Sequence, residues 1–204
     1  SRLGNRSDNE GVVSIGSMSG NIATATAGSR HGVFEDAGDA CSAAADAFLE
    51  FREKGMDGRR RVVEIVKTLC QHNAREWGRL ELEETGIGRL DHKVQKLEIV
   101  EQVPGVEWLR PDGFSGDHGI TMEEYTPYGL VGAITPVTHS IPTLAGNVIS
   151  IVAAGNAVVF NPHPSGARCA SVAVQAFNQA IERDIGISNL ITCVESPSLE
   201  SFAA

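Results

Sequence analysis

No run of about 18 uncharged apolar residues is present, so no segment of this 204-residue chain is expected to span a bilayer. Ser1 opens a polar segment, without the basic and apolar regions of an export signal, and the expected location is the cytoplasm. Basic residues are also in the minority. With 17 Lys and Arg against 26 Asp and Glu, the formal charge is −9 and the isoelectric point is near 5.1, so a nucleic-acid partner is not expected. The one dense basic run, Arg59 to Arg61, falls within a helical pattern and reads as a solvated helix start or a local ion-pair face. Neither CxxC nor HExxH occurs, so the four cysteines give no reason to expect a metal. Each has a packing explanation instead: Cys41 on a stripe with Ala37, Ala44, Ala45 and Phe48, Cys70 with Val63, Val66 and Leu69, Cys169 with Val172 and Ala176, and Cys193 within LITCV. GxGxxG is missing too, so the usual signature for cradling a phosphate is not available.

What is present suffices for a sizeable core, since 42% hydrophobic content over 204 residues can fill one domain, or a domain and an arm. Residues 1–31 are rich in Gly, Ser, Asn and Thr and read as a polar arm, a linker or an irregular edge strand. From Asp36, a potential N-cap, apolar residues recur at helical spacing to Phe51, with Gly55 beyond the end. Gly58 precedes a second helix to about His72, Asn73 can cap a third ending at ETGIG, and LDHKVQKLEIVEQV forms a fourth before Pro104 and Gly105. This helical part is placed over residues 32–106. Residues 107–128 read as a hairpin excursion with turn residues at Pro111 to Gly113 and Gly116 to Gly119.

The pattern changes over residues 129–204. LVGAI is a buried strand, TLAGNVISIVAAG a helix closed by Gly155, AVVF a second strand, ARCASVAVQAFNQAIER a second helix and LITCV a third strand. The expected fold class is therefore α/β, with a βαβαβ unit of Rossmann-like type. Parallel strands put their carboxyl ends at one edge, where ligands bind, so TPVTH and NPHP are two loops of one site. From pattern alone, dinucleotide binding there stays open.

The segments PYGLVGAITPVTHSIPT, AAGNAVVFNPHP and LEETGIGRLDHKVQK resemble the aldehyde dehydrogenase superfamily, and more narrowly the CoA-acylating enzymes associated with bacterial microcompartments. The resemblance covers about residues 33–204. It implies a helical region, an oligomerisation hairpin and a Rossmann-like cofactor domain interrupted by a catalytic domain. In the family reaction a thiolate attacks the aldehyde, a hydride passes to NAD, and the thioester passes to coenzyme A. None of the cysteines here matches the nucleophile's motif. That cysteine and the catalytic domain would follow Ala204, leaving this chain the cofactor floor and part of the oxyanion environment. A homo-oligomer formed through the hairpin, and contact with a microcompartment shell, are further implications.

On the same resemblance, Thr135, Pro136, Val137 and Thr138 form a loop beneath the nicotinamide ribose and toward the reacting carbonyl. Thr138 stands where hydrolysing relatives have an oxyanion-supporting asparagine, and its hydroxyl can donate there or merely satisfy a turn. Asn161 and Pro164 stand where hydrolysing relatives place a lysine and a glutamate on the adenosine ribose, and His163 is a candidate lining residue or a surface histidine. Neutral residues here match the acylating branch, whose pocket must receive coenzyme A as well as NAD. His139 and Ser140 depart from the Asn-Pro usual in that branch. The alternatives are a non-acylating aldehyde dehydrogenase, an acyl-phosphate reductase, or a binding or assembly module without catalysis.

Overall fold

The computed structural model describes residues 31–203, so the polar arm expected over residues 1–31 lies outside them except for His31. In chain order the elements are β1 (Val33–Phe34), α1 (Ala37–Glu53), α2 (Gly55–His72), α3 (Ala74–Thr85) and α4 (Leu90–Glu98). Then come the hairpin strands β2 (Asp112–Gly116) and β3 (Gly119–Glu123), followed by β4 (Leu130–Thr135), α5 (Ser140–Ala153), β5 (Ala157–Pro162), α6 (Ala167–Ile185), β6 (Ile191–Val194) and α7 (Leu199–Ala203). Strands β1, β6, β5 and β4 lie side by side in that order, all parallel, so the fold is α/β with the expected βαβαβ unit. The two-residue β1 was not expected; it pairs Val33 with Cys193 and Phe34 with Val194 at the far edge of the sheet.

Helices cover the sheet because its central strands are apolar on both faces. Residues Ala157 to Phe160 of β5 and Ile191 to Val194 of β6 are all buried, as parallel strands between helical layers must be, whereas β4, expected to be buried, is the edge strand and leaves Gly132 and Ile134 exposed. Helix α1 packs on β4, β5 and β6 through Ala37, Ala40, Ala44, Ala47 and Phe51. That seam is rotated from the expected stripe: Cys41 and Phe48 are only half-buried, and Ala45 is exposed. The small seam residues let backbone approach backbone, and the Thr192 hydroxyl donates to the Ala40 carbonyl at 3.2 Å. Helix α2 lies over α5 and α6, and Trp77 of α3 meets Phe177 of α6 edge to face at 5.7 Å, a contact worth about 0.5–1.5 kcal/mol beyond burial.

Helix boundaries follow their local chemistry, with some departures from the sequence pattern. The Asp36 carboxylate accepts from the Asp39 N–H at 3.0 Å, which is the expected N-cap of α1. Helix α2 starts at Gly55 rather than after Gly58. Gly58 is buried inside it, where an added Cβ would collide with Lys54, so it serves close packing rather than a break. Asn73 does not cap α3; its amide donates to the Leu69 carbonyl at 2.9 Å and closes α2 instead. Helix α4 stops at Glu98 and tightens into a 3-10 turn over Ile99–Gln102 before Pro104 is reached. The hairpin has one turn, between Gly116 and Gly119, while Asp112 and Gly113 belong to β2. Gly155, at φ 87°, ends α5, and a Cβ there would meet the Arg59 guanidinium at 2.5 Å. The other two arginines of the basic run form ion pairs, Arg60 with Asp57 at 2.7 Å and Arg61 with Asp184 at 2.6 Å.

Candidate functional site at the carboxyl edge of the sheet

Strands β4 and β5 end together, with Thr135 opposite Pro162, so the loops that follow them are neighbours at one edge. The His163 N–H donates to the Thr135 carbonyl at 3.0 Å and joins the two strand ends. Behind them, the Thr135 and Ser140 hydroxyls lie 3.4 Å apart, and Ser140 donates to the Gly166 carbonyl at 3.3 Å. Thr135 is thus buried in the floor, while Pro136 and Val137 are half-buried and Thr138 is exposed. The Thr138 Oγ1 is 2.7 Å from His139 Nδ1. If His139 carries its proton on Nδ1, it donates to the Thr138 oxygen and leaves the hydroxyl proton for another acceptor; in the other tautomer the hydroxyl donates to the ring.

Helix α3 braces this edge with two carboxylates one turn apart. Glu84 accepts from the Arg168 and Cys169 N–H groups at 2.9 and 2.7 Å, at the start of α6. Glu81 accepts from the Ile141 N–H at 3.0 Å, at the start of α5, and from Lys93 Nζ at 3.1 Å. Lys93 also donates to the Thr138 carbonyl at 3.2 Å. A helix N-terminus attracts an anion through its free N–H groups and dipole, and here an internal carboxylate already takes that place on both helices. Sequence reasoning missed Glu81, Glu84 and Lys93. The available signal was a charge on an apolar stripe: Glu81 follows buried Trp77 and Gly78 at helical spacing, and Lys93 precedes buried Leu97 and Val100.

The remaining candidates are placed differently from one another. Asn161 donates through its amide nitrogen to the Ser198 carbonyl at 3.1 Å, and its amide oxygen accepts from the Ser201 hydroxyl at 2.8 Å. It therefore ties the end of β5 to the segment after β6. Ser198 and Ser201 reinforce that segment by capping each other's N–H groups at 2.8 and 3.1 Å. His163 and Pro164 are exposed, and His163 Nδ1 accepts from the Ser165 N–H at 3.1 Å. The edge brings Thr135 to Thr138 beside His163 and Pro164, with Asn161 turned to the third loop. For a nicotinamide dinucleotide this arrangement offers neutral surfaces to rings and ribose; at the start of α6 the Arg168 and Cys169 N–H groups are taken by Glu84, while the Arg168 side chain is exposed.

Three of the four cysteines are buried, and Cys41 on α1 is half-buried. Burial pushes Cys70, Cys169 and Cys193 each up to about 12, with the Glu84 charge adding to the effect at Cys169. Among the described residues no group of three or more His, Cys, Asp and Glu side chains converges as for a metal ion. A recess of about 470 Å³ lies between α2 and residues 101–111, lined by Met56, Val63, Lys67, Val106 and Glu107 among others. It includes none of the loop residues, so the chemistry of the edge, rather than the recess, defines the site.

This geometry has close relatives. The curated acetylating acetaldehyde dehydrogenase EutE of Salmonella typhimurium is 37% identical over 171 residues, covering 83% of this chain and 36% of its own length. The crystal structure of Rhodopseudomonas palustris propionaldehyde dehydrogenase with bound propionyl-CoA superposes with a TM-score of 0.81 at 39% identity, covering 85% of this chain and 39% of that one. A propionaldehyde dehydrogenase from the Clostridium phytofermentans fucose utilisation bacterial microcompartment gives 0.81 at 37% identity, covering 84% and 40%. The chain thus spans little more than a third of the length of these relatives. The profile described as the aldehyde dehydrogenase family matches residues 18–203, and with that coverage and these identities the chain belongs to the aldehyde dehydrogenase family.

Proposed function

We propose that this chain supplies the cofactor floor and part of the oxyanion environment of an NAD-dependent, CoA-acylating aldehyde dehydrogenase, which converts a small aldehyde, CoA and NAD into acyl-CoA and NADH. One observation carries the proposal: the carboxyl edge is neutral where an adenosine would lie. Asn161 has no charge and its amide is engaged by Ser198 and Ser201, while Pro164 is exposed and carries no donor or acceptor on its side chain. An edge without a charged grip suits the exchange of one adenosine ligand for another, as NADH must leave before coenzyme A enters a shared pocket. Relatives bearing acyl-CoA and acetylating names support the same assignment.

A bound nicotinamide dinucleotide would supply the hydride acceptor, and the chain's own residues orient and polarise. Thr135, Pro136 and Val137 form the floor, and the exposed Thr138 hydroxyl donates to the developing carbonyl oxyanion when His139 Nδ1 supplies the proton between them. His163 lines the adenosine side together with Pro164. The nucleophilic thiol would come from the catalytic domain, because none of the four cysteines here stands in the nucleophile's motif and three of them are buried.

The hairpin fits a contact with a second copy. Residues 111–126 are exposed throughout, and Phe114, Ile120 and Met122 are 57%, 77% and 63% exposed on two short strands that no other element covers. No helix among the described residues is long and apolar enough to cross a membrane. A cytoplasmic location, inside a microcompartment, agrees with the source of one structural relative.

The test is Asn161→Lys with Pro164→Glu in the complete enzyme, with Ser201→Ala as the control that frees only the Asn161 amide oxygen. Restoring a charge-assisted grip is expected to tighten NAD by about tenfold or more and to lower CoA-dependent turnover together. NAD tightening with CoA turnover untouched would refute the shared neutral pocket.

A further inference from the structure

Lys93 and Glu81 form an ion pair that is almost wholly removed from solvent, 2% and 0% exposed, and it comes from two different helices. Buried charges persist only where their remaining donors and acceptors are satisfied. Here the spare bonds of both partners go to one short loop. The Lys93 ammonium donates to the Thr138 carbonyl at 3.2 Å, and the second Glu81 oxygen accepts from the Ile141 N–H at 3.0 Å. The two contacts bracket His139 and Ser140. They hold the loop from both ends, one at a carbonyl and one at an N–H, which fixes where the intervening peptides face.

We infer that Lys93 and Glu81 are positioning residues: as a unit they set the β4–α5 loop so that the Thr138 side chain is presented at the carboxyl edge. Its catalytic consequence rests on the role proposed above for Thr138, but the positioning itself does not. Helix α3 also holds the start of α6 through Glu84, so one rigid helix sets both loops relative to each other. The salt bridge adds what a single carboxylate cannot, a cationic donor that reaches the Thr138 carbonyl, a group that Glu81 cannot bond.

The experiment compares the parent chain with Lys93→Met, which keeps the aliphatic stem, and with the double variant Glu81→Leu, Lys93→Met, which removes both charges and so avoids leaving one unpaired. Amide hydrogen exchange is read by residue in each. Expected is faster exchange at the Ile141 and Thr143 amides by at least about tenfold, the loss of one charge-assisted bond, with amides of Val148 and Phe177 unchanged. Parent-like exchange in the loop, or an equal rise at every amide, overturns the positioning role. In the complete enzyme the double variant is expected to lower kcat with KM for NAD within about twofold, the signature of an interaction made in the transition state. A locally loosened loop with parental kcat upholds the positioning and refutes instead the proposed oxyanion role of Thr138.

Discussion

Raising the pH should unfold this chain through its buried thiols, and the size of the effect follows from their surroundings. Cys70, Cys169 and Cys193 are pushed from 9.0 to about 12 in the folded state, chiefly because burial disfavours the thiolate. Unfolding returns each to its ordinary value. A folded value raised above the unfolded one gives stability that is fully present below about 9 and is lost as the pH rises toward about 12. At pH 10 each unfolded thiol gains about 1.4 kcal/mol by ionising, so the three together remove about 4 kcal/mol from a stability of ordinary size, about 5–15 kcal/mol. Urea melts at pH 8 and pH 10 measure this difference. Lysine and tyrosine also titrate there, so the informative comparison is with Cys70→Ala and with Cys70→Ala, Cys193→Ala. Each substitution lowers stability at pH 8 through the cavity it leaves, but should reduce the loss between the two pH values by about 1.4 kcal/mol. If the pH-dependent loss is the same in the parent and in both variants, the thiols are not buried as described.

Because none of the four cysteines stands in the nucleophile's motif, the isolated chain, given aldehyde, CoA and NAD, should form no NADH, followed by absorbance at alkaline and neutral pH. Steady formation abolished by changing one of its own cysteines would show that a nucleophile had been overlooked. The hairpin offers a separate test by light scattering of the complete protein. Ile120→Asp, on an exposed strand, should shift the mass toward the monomer without altering the melting temperature by more than a few degrees, and an unchanged oligomer would rule out this arm as its contact.

Much of this architecture could be read from the chain because its signals are local. Strands β4, β5 and β6 are apolar runs set off by Gly155 and Gly186, and the helices between them are too long to be anything else. The adjacency of the two loops followed from parallel pairing alone. Strand β1 could not be read, since two residues have no period and Val33 and Phe34 are fixed only by pairing with β6. The seam of α1 was misplaced for a similar reason: an alanine-rich helix has several stripes of equal polarity, and Thr192 and the sheet decide which one is covered. At the candidate site, the partners of Asn161 lie 37 and 40 residues away, and those of Glu84 lie 84 and 85 residues away. Nothing in the neighbourhood of either residue announces such a bond. Pro111 to Gly113 misled in the opposite direction, because turn-forming residues there enter a strand whose register is set by the turn at Asp117 and His118.

The Glu84 carboxylate occupies the start of α6, in a chain with a formal charge of −9. The positive end of the helix is therefore cancelled at short range, and at long range the surface repels whatever is negatively charged. An anionic nucleotide at this edge therefore finds its cationic donor in the exposed Arg168 side chain rather than in the N–H groups of the helix, unlike at a glycine-rich phosphate loop. Added salt screens that repulsion, so ionic strength is expected to speed the encounter rather than slow it.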